Sequence, residues 1–187
     1  MPTFYEGEPI EALEQTIDAT EWAFAYEAAR SAVSPMHRKE VKSAICLTAG
    51  VLLGSLLPLY RSRFLTVWVP VCGIFILLCL AVWFFFFQPK EIRRWARELY
   101  GSNALLALPQ KITVYRDSVV IENEREKILE YWTDFFRCIE TEKAFVLSGG
   151  MERNLLVISK KDLPPEQADR LSAHFSNAFA SRYLRSR

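Results

Sequence analysis

Catalysis needs nucleophiles, general bases or metal ligands, and this sequence offers few of them at useful spacing. Its 187 residues include 2 histidines, His37 and His174, and 4 cysteines, Cys46, Cys72, Cys79 and Cys138. No CxxC or Cys/His ligand spacing occurs, so zinc binding, a disulfide framework and a histidine-based triad all lack material. Phosphate loops, nucleophile elbows and kinase signatures are also missing. Carboxylates recur at Glu122, Glu124, Glu126 and Glu130. They gather round an expected hairpin turn and on the alternate face of a strand, the pattern of a solvated face and not of a glycosidase pair. The sequence reads as a protein other than an enzyme, with no catalytic, cofactor-binding or metal-binding residue to nominate.

The remaining chemistry is aromatic and basic. Trp83 precedes Phe84, Phe85, Phe86 and Phe87, and Arg93, Arg94, Trp95 and Arg97 follow shortly after. Residues on a helix advance about 100° each, so four consecutive phenylalanines look in all directions and cannot line one ligand pocket. Aromatic residues beside arginines at the end of an apolar run instead fit the level of lipid headgroups. These nine residues are the candidate membrane-interface set.

The elements that must hold them follow from where charge is absent. Ala44 to Tyr60 has 17 residues without a charge and Phe64 to Phe87 has 24. A helix needs about 20 apolar residues to cross the hydrocarbon core. Spans over 44–60 and 64–87 are expected, joined by Arg61-Ser62-Arg63 into an antiparallel hairpin over 41–88. The first apolar run begins too far from Met1 for a cleaved signal peptide. Arg30, Arg38, Lys39 and Lys42 flank one end of the hairpin, and Lys90, Arg93, Arg94 and Arg97 the other. That exceeds the two arginines of the turn, so the positive-inside bias puts both termini in the cytoplasm.

Small residues at Cys46, Gly50 and Gly54 recur every fourth position, the spacing that lets helix backbones approach. Gly54 is expected near Pro70 in depth, Gly50 near Gly73, and Cys46 near Cys79. Hairpin packing is the favoured use of this row, with a homo-oligomer through the same face as its rival. Ionisable groups are missing from both spans, which argues against a transport pathway.

The rest of the chain is densely charged. Residues 1–40 open acidic, with Glu6, Glu8, Glu11, Glu14, Asp18, Glu21 and Glu27. Pro89 suits the first turn of a new basic helix over 89–101, with Ile92, Trp95, Ala96 and Leu99 as its apolar stripe. From Lys111 the apolar period becomes two. Six short strands are expected, in "KITVYRD", "VVIEN", "KILEYW", "FFRCIE", "AFVLSGG" and "NLLVIS", separated by polar turns. Residues 166–184 return to helical spacing, with Ala168, Leu171, Phe175, Ala178, Phe179 and Arg182 on one side. Bases are interspersed with acids throughout, and the net charge is only +1, which speaks against nucleic acid as a partner.

Trp132, Thr133, Asp134, Phe135 and Glu140, followed by "AFVL" and "NLLVISKKDL", carry a resemblance. Placed after two apolar spans and a basic linker, they resemble the YcxB-like membrane proteins of bacteria. The resemblance implies a cytoplasmic sheet domain over 108–187, similar to bacterial pleckstrin-homology-like domains, with a closing helix and with Trp132 and Asp134 in its motif. It carries over no catalytic residue. It also implies a strand in "IEALEQTI" and a helix over Glu21 to Val33 capped by Thr20, packed with the sheet domain, its acids free to face the basic helix. The expected fold is an α+β membrane protein, a two-helix transmembrane hairpin plus a small antiparallel sheet domain. The expected function is that of a multi-pass inner-membrane protein, without a cofactor, whose partners are the lipid bilayer and a protein or membrane surface met by the cytoplasmic domain. The alternative is a small oligomeric pore or an accessory subunit of a transporter.

Overall fold

A computed structural model describes residues 7–60, 64–151 and 154–185. In chain order the elements are β1 (Glu11–Gln15), α1 (Ala19–Val33), α2 (Lys39–Ser55), α3 (Phe64–Val82), α4 (Gln88–Ser102), β2 (Gln110–Val114), β3 (Ser118–Glu122), β4 (Lys127–Tyr131), β5 (Arg137–Glu140), β6 (Ala144–Ser148), β7 (Leu155–Ser159), α5 (Pro165–Phe179) and β8 (Tyr183–Arg185). The fold is α+β, and it divides into a helical unit, Arg30–Trp95, and a sheet unit formed by the segments on either side.

The sheet unit holds two four-stranded sheets, in the orders β1-β2-β3-β4 and β7-β6-β5-β8. All pairs are antiparallel except β5 with β8. Alternating apolar side chains give each sheet one inward face. Ile112, Val114, Val119 and Ile121 from the first sheet meet Phe145, Leu147, Leu156 and Ile158 from the second, and Leu171, Phe175 and Phe179 of α5 close the same core. Ile139, Val146 and Val157 are buried too, although they alternate with the core residues and so lie on the opposite face.

The strand expected in residues 10–17 forms and joins this unit. Glu11 stands opposite Val114 and Gln15 opposite Gln110, so β1 pairs with β2 although four helices separate them in the chain. Gln15 then reaches the other sheet: its Nε2 donates to the Val157 carbonyl at 2.6 Å and its Oε1 accepts from the Ser159 N–H at 2.9 Å. One amide side chain thus supplies the donor and acceptor of a missing strand residue and links β1 to β7. Glu11 is held by Arg170 of α5 at 3.0 Å. The cap of α1 is Asp18, not Thr20, because Asp18 Oδ1 accepts from the N–H groups of Thr20 and Glu21 at 2.6 and 2.8 Å, an N-cap pattern.

Three expectations for the sheet unit are corrected. "FFRCIE" is not one strand: β5 starts at Arg137, while Phe135 fills the core and Phe136 is 75% exposed. Glu130 is not on a solvated face, being only 1% exposed. It shares a face of β4 with Ile128, which packs on the core, and pairs with the buried Val119. The closing helix ends at Phe179, short of the expected residue 184. Ala180 adopts φ +46° and turns the chain into β8, a backbone region that favours glycine.

In the helical unit α2 and α3 pack together. The first expected span is shortened, because α2 stops at Ser55 ahead of Pro58 and a 3-10 turn follows over Leu57–Tyr60. The arginines expected in the connecting turn, residues 61–63, lie outside the described residues. The second expected span does not stop at Pro89. A π turn over Trp83–Phe87 joins α3 to α4, with the Gln88 N–H donating to the Trp83 carbonyl. Pro89 has no N–H to give and would crowd the carbonyl four residues back. The wider turn just ahead of it takes up that misfit, so the expected separate helix over 89–101 is the continuation of α3.

Candidate functional site

The aromatic run lies where α3 meets the start of α2. Trp83, Phe85, Phe86 and Phe87 are exposed, and Trp83 stacks on Phe87 with centroids 5.5 Å apart. Two lysines of α2 complete the arrangement. Lys39 Nζ lies 5.1 Å from the centre of the Phe85 ring and Lys42 Nζ 5.5 Å from that of Phe84. Ammonium groups over aromatic faces are held by the ring quadrupole. Lys42 also donates to Gln88 Oε1 at 2.7 Å. Sequence spacing could not have found these pairs, because the two halves lie more than 40 positions apart. Farther along, Arg94, Trp95 and Arg97 are exposed and Arg93 is half-buried, while the buried residue of that stripe is Ala96. Trp95 therefore leaves the apolar stripe expected of it.

The helix-packing residues separate into those that touch and those that do not. A Cβ on Gly73 would meet Leu53 Cδ1 at 3.5 Å, and one on Gly54 would meet Ile74 Cδ1 at 3.9 Å. A Cβ on Gly50 would meet nothing within 4 Å, so Gly50 is not part of this close contact. Cys46 is buried and Cys79 is exposed. The covered row on α3 is Pro70 and Ala81, which are buried, with Gly73, Ile74 and Leu77 half-buried between them, which turns Cys79 away. Ser43 Oγ donates to the Ala81 carbonyl at 3.0 Å, fixing α2 against α3 beside the π turn.

The motif residues Trp132 and Asp134 are structural. Trp132 is buried among Phe135, Phe175, Phe179 and His174. Its Nε1 donates to the carbonyls of Tyr115 and Arg116 at 3.1 and 3.0 Å. Asp134 Oδ2 accepts from the Tyr131 N–H at 3.2 Å and closes the turn after β4. His174 packs edge-on to Trp132, and burial holds its pKa below the ordinary histidine value despite Asp117 nearby.

A polar cluster that the sequence did not suggest lies under α5. Glu140 is 5% exposed. It accepts from Lys160 Nζ at 2.6 Å, from Ser172 Oγ at 3.0 Å and from the Tyr183 hydroxyl. Arg185 Nε stands 3.6 Å away. Burial alone would raise the Glu140 carboxyl, but the bonds from Lys160, Tyr183 and Ser172 outweigh it and hold its pKa below the ordinary value. Tyr183 is pushed up to about 12, first by burial and then by Glu140. Burial also pushes the Cys138 thiol far up, so it stays protonated and poorly nucleophilic. The cluster draws on β5, the residue after β7, α5 and β8, which is why no local motif announces it. Among the described residues no group of acids, histidines and cysteines has the arrangement of a metal site.

Comparison of the chain with protein-family models, curated proteins and solved structures returned no match.

Proposed function

We propose that the chain is a non-enzymatic bacterial inner-membrane protein of YcxB-like type, whose helical unit is a membrane anchor and whose sheet unit is a cytoplasmic docking domain. The observation that carries the reading is where the apolar surface lies. The helix Val67–Ser102 is long and apolar enough to cross a membrane, and only 11% of its most apolar window is buried. A core helix of a water-soluble protein would be covered. Val69, Phe75, Ile76 and Leu78 of α3 stand exposed, as do Val51 and Leu52 of α2. Lipid is the solvent in which such a surface is stable.

Within this reading α2 and the 3-10 turn after it form the first crossing and α3 the second, with both termini on the cytoplasmic side. Lys39, Lys42 and the aromatic run mark the cytoplasmic rim, lysine stems lying along the rings and ammonium groups meeting headgroups. The π turn carries the helix through that rim without a break. The sheet unit then meets a protein partner. Its buried Glu140 is tied to Lys160, Ser172 and Tyr183, which suits a rigid docking domain better than a reaction centre.

Membrane fractionation with an alkaline carbonate wash tests the anchor. The full chain is expected to stay in the membrane pellet. Release into the supernatant would overturn the reading. In-cell crosslinking from the sheet unit, with identification of what is captured, then tests the docking role.

A further inference from the structure

Strand β8 sits where a partner's strand could sit. It is three residues long and lies parallel on β5, with Tyr183 opposite Cys138, Leu184 opposite Ile139 and Arg185 opposite Glu140. α5 ends just before it, and Ser172 of that helix faces the Tyr183 hydroxyl at 3.0 Å. The edge of β5 and the flank of α5 thus form a groove, and β8 fills it as an extended peptide would. Recognition is specific at one point: the Tyr183 hydroxyl bonds to Glu140 and Ser172, and Lys160 holds the same carboxylate. Arg185 adds a mostly exposed cation on Glu140.

Two features make β8 a replaceable occupant. It is reached through Ala180, a non-glycine residue at φ +46°, so docking in cis carries backbone strain that a separate segment would not. Its departure would leave Glu140 bound by Lys160 and Ser172, so the buried carboxylate would stay paired and the groove would stay formed.

We infer that the β5–α5 groove is a peptide-docking site that β8 covers, and that its ligand is an extended segment of a partner protein presenting tyrosine followed two positions later by arginine or lysine. This rests on the docking role of the sheet unit and names the surface. A second copy of the chain is a poorer occupant, since its β8 would leave one groove to fill an equivalent one and gain no contact. A partner segment replaces β8 without the turn at Ala180. The affinity seen from outside is the intrinsic affinity reduced by the fraction of time the groove is open.

The test uses the detergent-solubilised full chain and a fluorescent peptide with the sequence of residues 181 to 187, SRYLRSR. In Tyr183→Phe/Arg185→Ala, β8 loses its hold on Glu140, and the peptide is expected to bind about tenfold more tightly than to the natural chain. The same peptide with phenylalanine for tyrosine should lose about tenfold in affinity for that variant. Because the double variant could lose its fold, amide exchange in the natural chain provides a second reading. Added SRYLRSR should speed exchange at Tyr183–Arg185 and leave Leu155–Ser159 unchanged. Equal affinity of the natural chain and the variant, indifference to the peptide's tyrosine, or a variant that pairs with a second copy and ignores the peptide would each overturn the groove. Captured partner that stays bound while peptide saturates the groove would overturn it too, yet leave the docking role standing.

Discussion

The two units of this chain treat apolar surface in opposite ways. In the sheet unit Ile112, Val114, Phe145, Leu147 and Phe175 are fully enclosed, whereas in the helical unit Val51, Val69, Phe75 and Phe86 stand outward. Small and polar residues trade places accordingly. Gly73 and Ser43 make contacts between α2 and α3, while Gln15 ties one sheet to the other and Lys160 binds Glu140 within the second. On the proposed reading each unit is stable in a different solvent. Water drives apolar groups inward, but lipid gives them no such push, so association there relies on close backbone contact and hydrogen bonds.

The largest expected contrast comes from removing one large aromatic residue from each unit. Trp132→Ala should cost the sheet unit about 3–5 kcal/mol, measured as unfolding in urea by near-ultraviolet circular dichroism. Phe86→Ala should leave that transition within about 0.5 kcal/mol. Equal losses would break the contrast. Next comes Gln15→Ala, which leaves the Val157 carbonyl and the Ser159 N–H without the bonds seen here. A loss of about 1–3 kcal/mol is expected. Deleting residues 1 to 34 should lower the thermal midpoint of the sheet unit further, and an unchanged midpoint would show that β1 is dispensable.

Much of this was readable because it follows from simple periods. Uncharged runs gave the two packed helices, and alternation in "KITVYRD" and "AFVLSGG" gave β2 and β6. What stayed hidden depends on distant partners. Glu130 was placed on the wrong face because its charge was weighed above its sharing a face with Ile128. The stop of α5 carries no glycine or proline signal, since Ala180 takes a conformation that its type disfavours. Pro89 has the signature of a helix start, and only the π turn before it shows why the helix continues. Lys39 and Lys42 read as flanking charges, yet their places over Phe85 and Phe84 arise from the packing of α2 beside the end of α3.

Smaller effects sharpen the picture of β8. Ala180→Gly should stabilise the sheet unit by about 1 kcal/mol, because glycine accepts the positive φ at little cost, and thermal unfolding would show it. The pH dependence has a defined sign at both ends. Glu140 is held below its ordinary value, so its contribution is complete above the usual carboxylate pKa and is lost as pH falls through the lowered one. Tyr183 is raised from 10.0 to about 12, so its contribution is complete below 10 and is lost as pH rises through about 12. Lys160, Ser172 and Arg185 face Glu140 in both windows, and Cys138 lies beside it. Amide exchange at Tyr183–Arg185 should rise at both extremes before the sheets unfold, and a flat profile would detach β8 from this network.

The contrast between the units is tested most directly by the cysteines that the chain already carries. Cys72 and Cys79 are exposed on α3, while Cys46 and Cys138 are buried. In native membranes a water-soluble maleimide should label none of them, and after solubilisation in denaturant it should label all. If α3 instead faces water, Cys72 and Cys79 will react at once in the native chain, and the helical unit is not a membrane anchor.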